Sequence, residues 1–116
     1  MLLLFHVEVA MPERLKKPIF EGRLRYGTHS RMEALSDRYG SIVLPVHFLA
    51  EKAKLIEAEV DSDTNQCIKQ VWRQPLDEER DIVLVITNTG FVKTVWVNLH
   101  SDKHHTLNRA RYVGGH

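Results

Sequence analysis

The sequence predicts an α+β fold, N-terminal helices packed on a roughly four-stranded antiparallel sheet, and three observations carry that prediction. Residues 28–39 place apolar side chains at helical spacing, ahead of a glycine at position 40. Residues 55–99 alternate apolar and polar side chains with the period of a strand. Polar runs such as "DSDTNQ" and "TNTG" divide that second half into hairpins. Residues 1–116 form one domain in this reading, since no repeat and no Gly-, Pro- or Ser-rich linker divides them.

The elements follow in order. "LLLFHVEVA" reads as a strand or strand-like start, and the apolar opening is far too short to span a membrane. In "MPERLKKPIF", Pro12 and Pro18 break regular structure, which leaves a connection or short helix over Met11 to Phe20. "THSRMEALSDRYG" is the clearest helix: Thr28 or Ser30 caps it, Met32, Leu35 and Tyr39 share its buried face, His29 stands in its first turn, and Gly40 ends it. Pro45 suits the first turn of a further short helix through Ala53. Ile56, Ala58 and Val60 then alternate with Glu57 and Glu59 as a half-buried strand. "CIKQVWR" follows the "DSDTNQ" turn, and "QPLDEER" separates it from "DIVLVITN". Ile82 to Ile86 is apolar on both faces, as in a central strand. "TNTG" leads into "FVKTVWVNL", where Lys93, Val95 and Val97 face one way and Val92, Thr94, Trp96 and Asn98 the other.

Composition narrows the function classes. Sixteen Lys and Arg against fifteen Asp and Glu give a net charge of +1, so attraction to nucleic acid must come from local clustering. The segment from Lys103 to Arg111 supplies such a cluster, with three fixed positive charges, two imidazoles and no acid. A single cysteine, Cys67, excludes an internal disulfide and a thiolate metal cluster, and a cytoplasmic location is the expectation.

The chemistry-bearing residues gather on the last strands and beyond. Thr94, Trp96 and Asn98 form a polar and aromatic row, while Lys69 and Arg73 share a face with Val71 on the strand "CIKQVWR". Histidines, Arg and Lys without paired carboxylates suit phosphodiester cleavage through the RNA 2′-hydroxyl: imidazoles move the protons and cations hold the charge of the phosphorane. A zinc reading of His100, His104 and His105 lacks a complete ligand set, so no metal and no cofactor is expected. Tyr39, Trp72 and Trp96 are candidates for base stacking, with core packing the commoner role for strand aromatics.

The order of these residues resembles the small RNase and toxin superfamily that includes barnase, EndoU, the colicin tRNases and RelE-like proteins, and within it members borne by phages and mobile elements. The resemblance spans Tyr26 to Tyr112 and rests on "THSRMEALSDRYG", "IKQVWR", "DIVLVI" and "VKTVW" with "DKHHTL" after it. It implies His29 and His104 as acid-base residues, Arg73 as phosphate holder and Thr94 as a site-facing hydroxyl. Lys69, Trp96, Asn98, Lys103 and Arg109 would hold RNA. Some enzymes of that superfamily use a glutamate base, which Glu57 or Glu59 would have to provide.

A metal-independent ribonuclease or ribonuclease-like toxin domain is the leading expectation, with RNA and an antitoxin or host protein as partners. No membrane and no DNA-specific motif is expected. The alternative is a small non-enzymatic, phage-encoded protein that binds and inhibits a host protein. Convergence of His29, Arg73, Thr94 and His104 in one cleft would favour the enzyme.

Overall fold

A computed structural model describes residues 1–6 and 11–103 of the chain. One mixed sheet dominates it. The strands are β1 (Leu2–His6), β2 (Arg25–Tyr26), β3 (Lys54–Asp61), β4 (Gln66–Pro75), β5 (Arg80–Thr87) and β6 (Phe91–Leu99), in the spatial order β1-β3-β4-β5-β6-β2. All neighbours are antiparallel except β2, which runs parallel to β6. One α-helix, α1 (Thr28–Leu35), and a 3-10 turn at Glu13–Leu15 complete the regular structure of the described residues.

The expected architecture of N-terminal helices on a four-stranded antiparallel sheet is therefore incorrect: among the described residues, six strands with a parallel edge carry a single α-helix. Two segments account for the difference. The opening leucines join the sheet as β1, and Arg25–Tyr26 adds β2. The segment expected as a helix after Pro45 makes only one turn, in which Lys52 and Ala53 donate to the Leu49 carbonyl. Several of its other main-chain groups find tertiary partners in place of helical ones. Leu24 N–H donates to the Val46 carbonyl, and the Gln74 side chain accepts from Leu49 N–H.

The hairpins follow the polar runs. Asn65 takes a left-handed φ of 60° between β3 and β4, and Gly90 takes 82° between β5 and β6, where a β-carbon would be strained. β5 lies in the centre, and its residues Ile82 to Ile86 are buried on both faces.

The two faces of the sheet have different characters. On the helix face, Trp72, Ile82, Leu84, Ile86, Val95 and Val97 pack with Phe20, Leu24, Ala34 and Ile42. Phe48 stands edge-on to Phe20 and to Trp72, with centroid separations of 5.1 and 5.0 Å. Val92 belongs to this cluster too, although simple alternation puts it on the other face. A bulge at Lys93, between the pairs Val85–Thr94 and Ile86–Val92, reverses its direction.

Two buried glutamines anchor the covering segments. Gln70 accepts from Ile19 N–H and Trp72 Nε1–H, and donates to the carbonyls of Leu15 and Lys17. The opposite face carries a smaller cluster of Ile56, Val71, Val83, Val85 and Trp96.

α1 is shorter than its sequence suggests and turned the other way. Its N-cap is Gly27, whose backbone lies so near Phe91 that an added β-carbon would stand 2.7 Å from the ring. Ser30 and Ala34 are its buried residues, whereas Met32 and Leu35 are exposed and Tyr39 lies past its end.

Candidate functional site

The register puts Arg73 on the same face as Thr94, Trp96 and Asn98. Arg73 pairs with Val83, which pairs with Trp96, while Asp81 pairs with Asn98. Side chains directly opposite share a face, so the rows on β4 and β6 flank the β5 residues Val85, Val83 and Asp81.

Arg73 is buried, and its guanidinium is held at the end of the sheet. Nε donates to Asp81 Oδ2 at 2.8 Å and Nη2 to the Leu99 carbonyl at 2.8 Å. The other oxygen of Asp81 meets Nδ1 of His100 at 2.6 Å. His100 Nε2 lies 2.9 Å from the Asp77 carbonyl. Both ring nitrogens thus face oxygen acceptors. Its main chain is tied as well, because His100 N–H donates to the Glu79 carbonyl and Leu99 N–H to Asp102 Oδ2. Asp77 itself is held below the usual carboxylate range by the Glu79 N–H, followed by the Arg80 side chain.

These groups stand at a cleft of about 420 Å³ whose wall also includes Lys52, Lys54, Asp102 and Lys103. Asp81 offsets Arg73, which leaves three lysines and His100 against Asp102 as the balance of the wall. Lys52 and Lys54 are exposed, and within the described residues neither has an ion-pair partner. Such a wall suits a phosphate or another compact anion.

Arg73 and Lys103 are the sequence-predicted residues that this cleft brings together. Lys69, Thr94, Trp96 and Asn98 share the face of Arg73 but are buried, at 8%, 1%, 4% and 3% exposure. Lys69 Nζ pairs with Glu59 at 3.1 Å, and Glu57 is buried 3.7 Å from His6 Nε2. Thr94 Oγ1 is buried without a hydrogen-bond partner. His29 lies outside the β6 edge, its Nε2 3.5 Å from Glu33 on the same helix, and does not reach the cleft. His104, His105 and Arg109 fall outside the described residues.

Lys52, Lys54, Asp81 and Asp102 are not legible as site residues in the sequence, where His100 reads only as a zinc ligand. One signal was present: the hairpin "RQPLDEERD" pairs Pro75 with Asp81, which puts Asp81 on the face of Arg73. Within the described residues no three His, Cys, Asp or Glu are placed to hold a metal ion. No described helix is long and apolar enough to cross a membrane.

No family model, curated protein or solved structure matches this chain, so nothing in those comparisons indicates membership of the ribonuclease and toxin superfamily or of any other.

Proposed function

We propose that the protein is a metal-independent ribonuclease that binds the phosphodiester backbone of RNA in the Arg73–His100 cleft. The observation that carries this reading is Asp81, whose single carboxylate links the guanidinium of Arg73 to the imidazole of His100. A carboxylate on Nδ1 fixes the ring, and the Nε2–H that faces the Asp77 carbonyl in the free protein passes to the leaving oxygen once RNA displaces that contact. In the reaction, Asp102 takes the proton of the 2′-hydroxyl, whose oxygen attacks phosphorus, and the 5′-oxygen leaves with the proton of His100 Nε2. Arg73 and the lysines hold the added negative charge of the phosphorane. The products are a 2′,3′-cyclic phosphate and a 5′-hydroxyl. The reading places the protein in the cytoplasm, where the lone Cys67 needs no disulfide partner.

The test uses a fluorescent RNA oligonucleotide with EDTA present, beside the same oligonucleotide carrying 2′-deoxyribose throughout. Cyclic-phosphate products from the ribose strand alone, lost in His100→Ala and Asp102→Asn, are the expected result. A wild-type protein that binds RNA without cleaving it removes the catalytic assignment. Binding unchanged in the Lys52→Glu, Lys54→Glu double variant removes the site.

A further inference from the structure

α1 turns its apolar side chains away from the protein. Ser30, Glu33, Ala34 and Asp37, spaced at i, i+3, i+4 and i+7, form the stripe that meets β6. The opposite stripe is Arg31, Met32, Leu35 and Arg38. Met32 and Leu35 are 60% and 67% exposed. The following loop extends this surface: Ile42 N–H donates to the Ala34 carbonyl and Ser41 Oγ to that of Leu35, which brings Val43, 89% exposed, beside the end of the helix.

Charge on α1 and the turn after it is equally one-sided. Both carboxylates, Glu33 and Asp37, are occupied by main-chain N–H groups of β6. Arg31 and Arg38 stand exposed beside the apolar group, Arg38 with its guanidinium 4.7 Å from the centroid of the Tyr39 ring. Neither arginine has an ion-pair partner among the described residues.

We propose that this face docks an acidic amphipathic segment of a partner protein. Met32, Leu35 and Val43 would receive its apolar side chains, and Arg31 and Arg38 would pair with carboxylates flanking them. The size of the patch favours a peptide over a lipid surface. Helices that lie on membranes bury long apolar faces rimmed by many cations, whereas α1 and the loop after it offer three exposed apolar side chains, Met32, Leu35 and Val43, beside two arginines. The surface is separate from the Arg73–His100 cleft and requires no catalytic activity.

The test selects a displayed library of random 16-residue peptides on the full chain, then measures the selected peptides by fluorescence anisotropy. The expected sequences carry Asp or Glu beside apolar residues three or four positions apart. Leu35→Glu and Val43→Glu should each weaken their binding at least tenfold, and Arg31→Glu with Arg38→Glu should weaken it more at low salt than at high salt. Unchanged thermal melting establishes that the variants fold. Should Leu35→Glu disturb α1, Val43→Glu in the loop still decides the matter. The proposal is overturned by a library that yields no enriched peptide, by enriched peptides that are basic or uncharged, or by binding indifferent to both apolar variants. Binding of phosphatidylserine vesicles that Leu35→Glu abolishes, in place of peptide binding, would assign the face to lipid and overturn the proposal as well.

Discussion

Asp37 accepts the main-chain N–H of Val97 at 3.0 Å, and one helical turn earlier Glu33 accepts that of Val95 at 3.1 Å. Glu33 in the last turn of α1 and Asp37 just past its end thus reach alternate residues of β6, whose N–H groups point outward together. Asp102 does the same for Leu99. Three carboxylates thereby close the part of this edge that β2 leaves unpaired, where an open strand would invite another chain. Glu33→Ala and Asp37→Ala should each cost about 1–3 kcal/mol, because a part-buried N–H loses its acceptor. Urea unfolding checks this, and the double variant should also associate in a concentration-dependent way in sedimentation.

In the Arg73–Asp81 pair the guanidinium is buried and the carboxylate half-buried, with side-chain exposures of 5% and 15%. Arg73→Ala leaves the Asp81 carboxylate beside His100 alone and should cost about 3–5 kcal/mol. Arg73→Lys keeps the charge but cannot reach Asp81 and the Leu99 carbonyl with one planar group, so a partial loss is expected. A double-mutant cycle with Asp81→Asn measured by denaturant titration should return a coupling of about 1–3 kcal/mol.

Gln70 ties the segment from Leu15 to Ile19 to the sheet through three hydrogen bonds and accepts a fourth from Trp72 Nε1–H. Gln70→Leu should cost about 3 kcal/mol, since several groups lose their partners together. The local consequence is separable from the global one. Trypsin should cut after Lys16 faster in the variant than in the wild type under conditions where both remain folded.

Tyr26 donates its hydroxyl proton to the Pro45 carbonyl at 2.5 Å, and burial pushes its pKa well above the ordinary value near 10. An acid whose folded pKa is raised keeps its proton in the native state after the unfolded chain has lost it. The associated stability is present below about pH 10 and falls as pH rises from there towards the folded value. Denaturation followed at fixed urea across pH 9 to pH 12 should show this loss, with the Tyr26 phenolate band appearing only on unfolding (a scan on the order of three pH units around the free value). Tyr26→Phe should flatten the profile and lower stability at neutral pH by about 1 kcal/mol.

Lys52 and Lys54 should act on RNA through charge alone. Substituting each by Gln should lower the slope of log K against log salt by about 0.7 for a single strand, with little change between sequences. Anisotropy titrations at several salt concentrations check this, and an unchanged slope would place the RNA elsewhere.

The hairpins and the central strand were legible in the sequence because their causes are local. "DSDTNQ" and "TNTG" supply turn residues, and the unbroken run from Ile82 to Ile86 requires cover on both faces. Alternation also identified the shared rows of Lys69 and Arg73 on β4 and of Thr94, Trp96 and Asn98 on β6. It failed at Val92, since a single extra residue at Lys93 reverses a side chain without leaving a signature in composition. The helix was found, but its orientation was inverted. Periodicity favours burying Met32 and Leu35, whereas the bonds from β6 to Glu33 and Asp37 turn Ser30 and Ala34 inward.

By itself, then, the sequence determined that the segments of β1 and of β3 to β6 are strands and which residues carry the charge. Only the tertiary structure decided that β1 and β2 complete the sheet, that Asp81 and His100 join Arg73, and that α1 faces outward with its apolar side. Those outcomes depend on hydrogen bonds between residues far apart in the chain. Their partners are chosen by strand register and by the need to satisfy main-chain groups, neither of which a local pattern encodes.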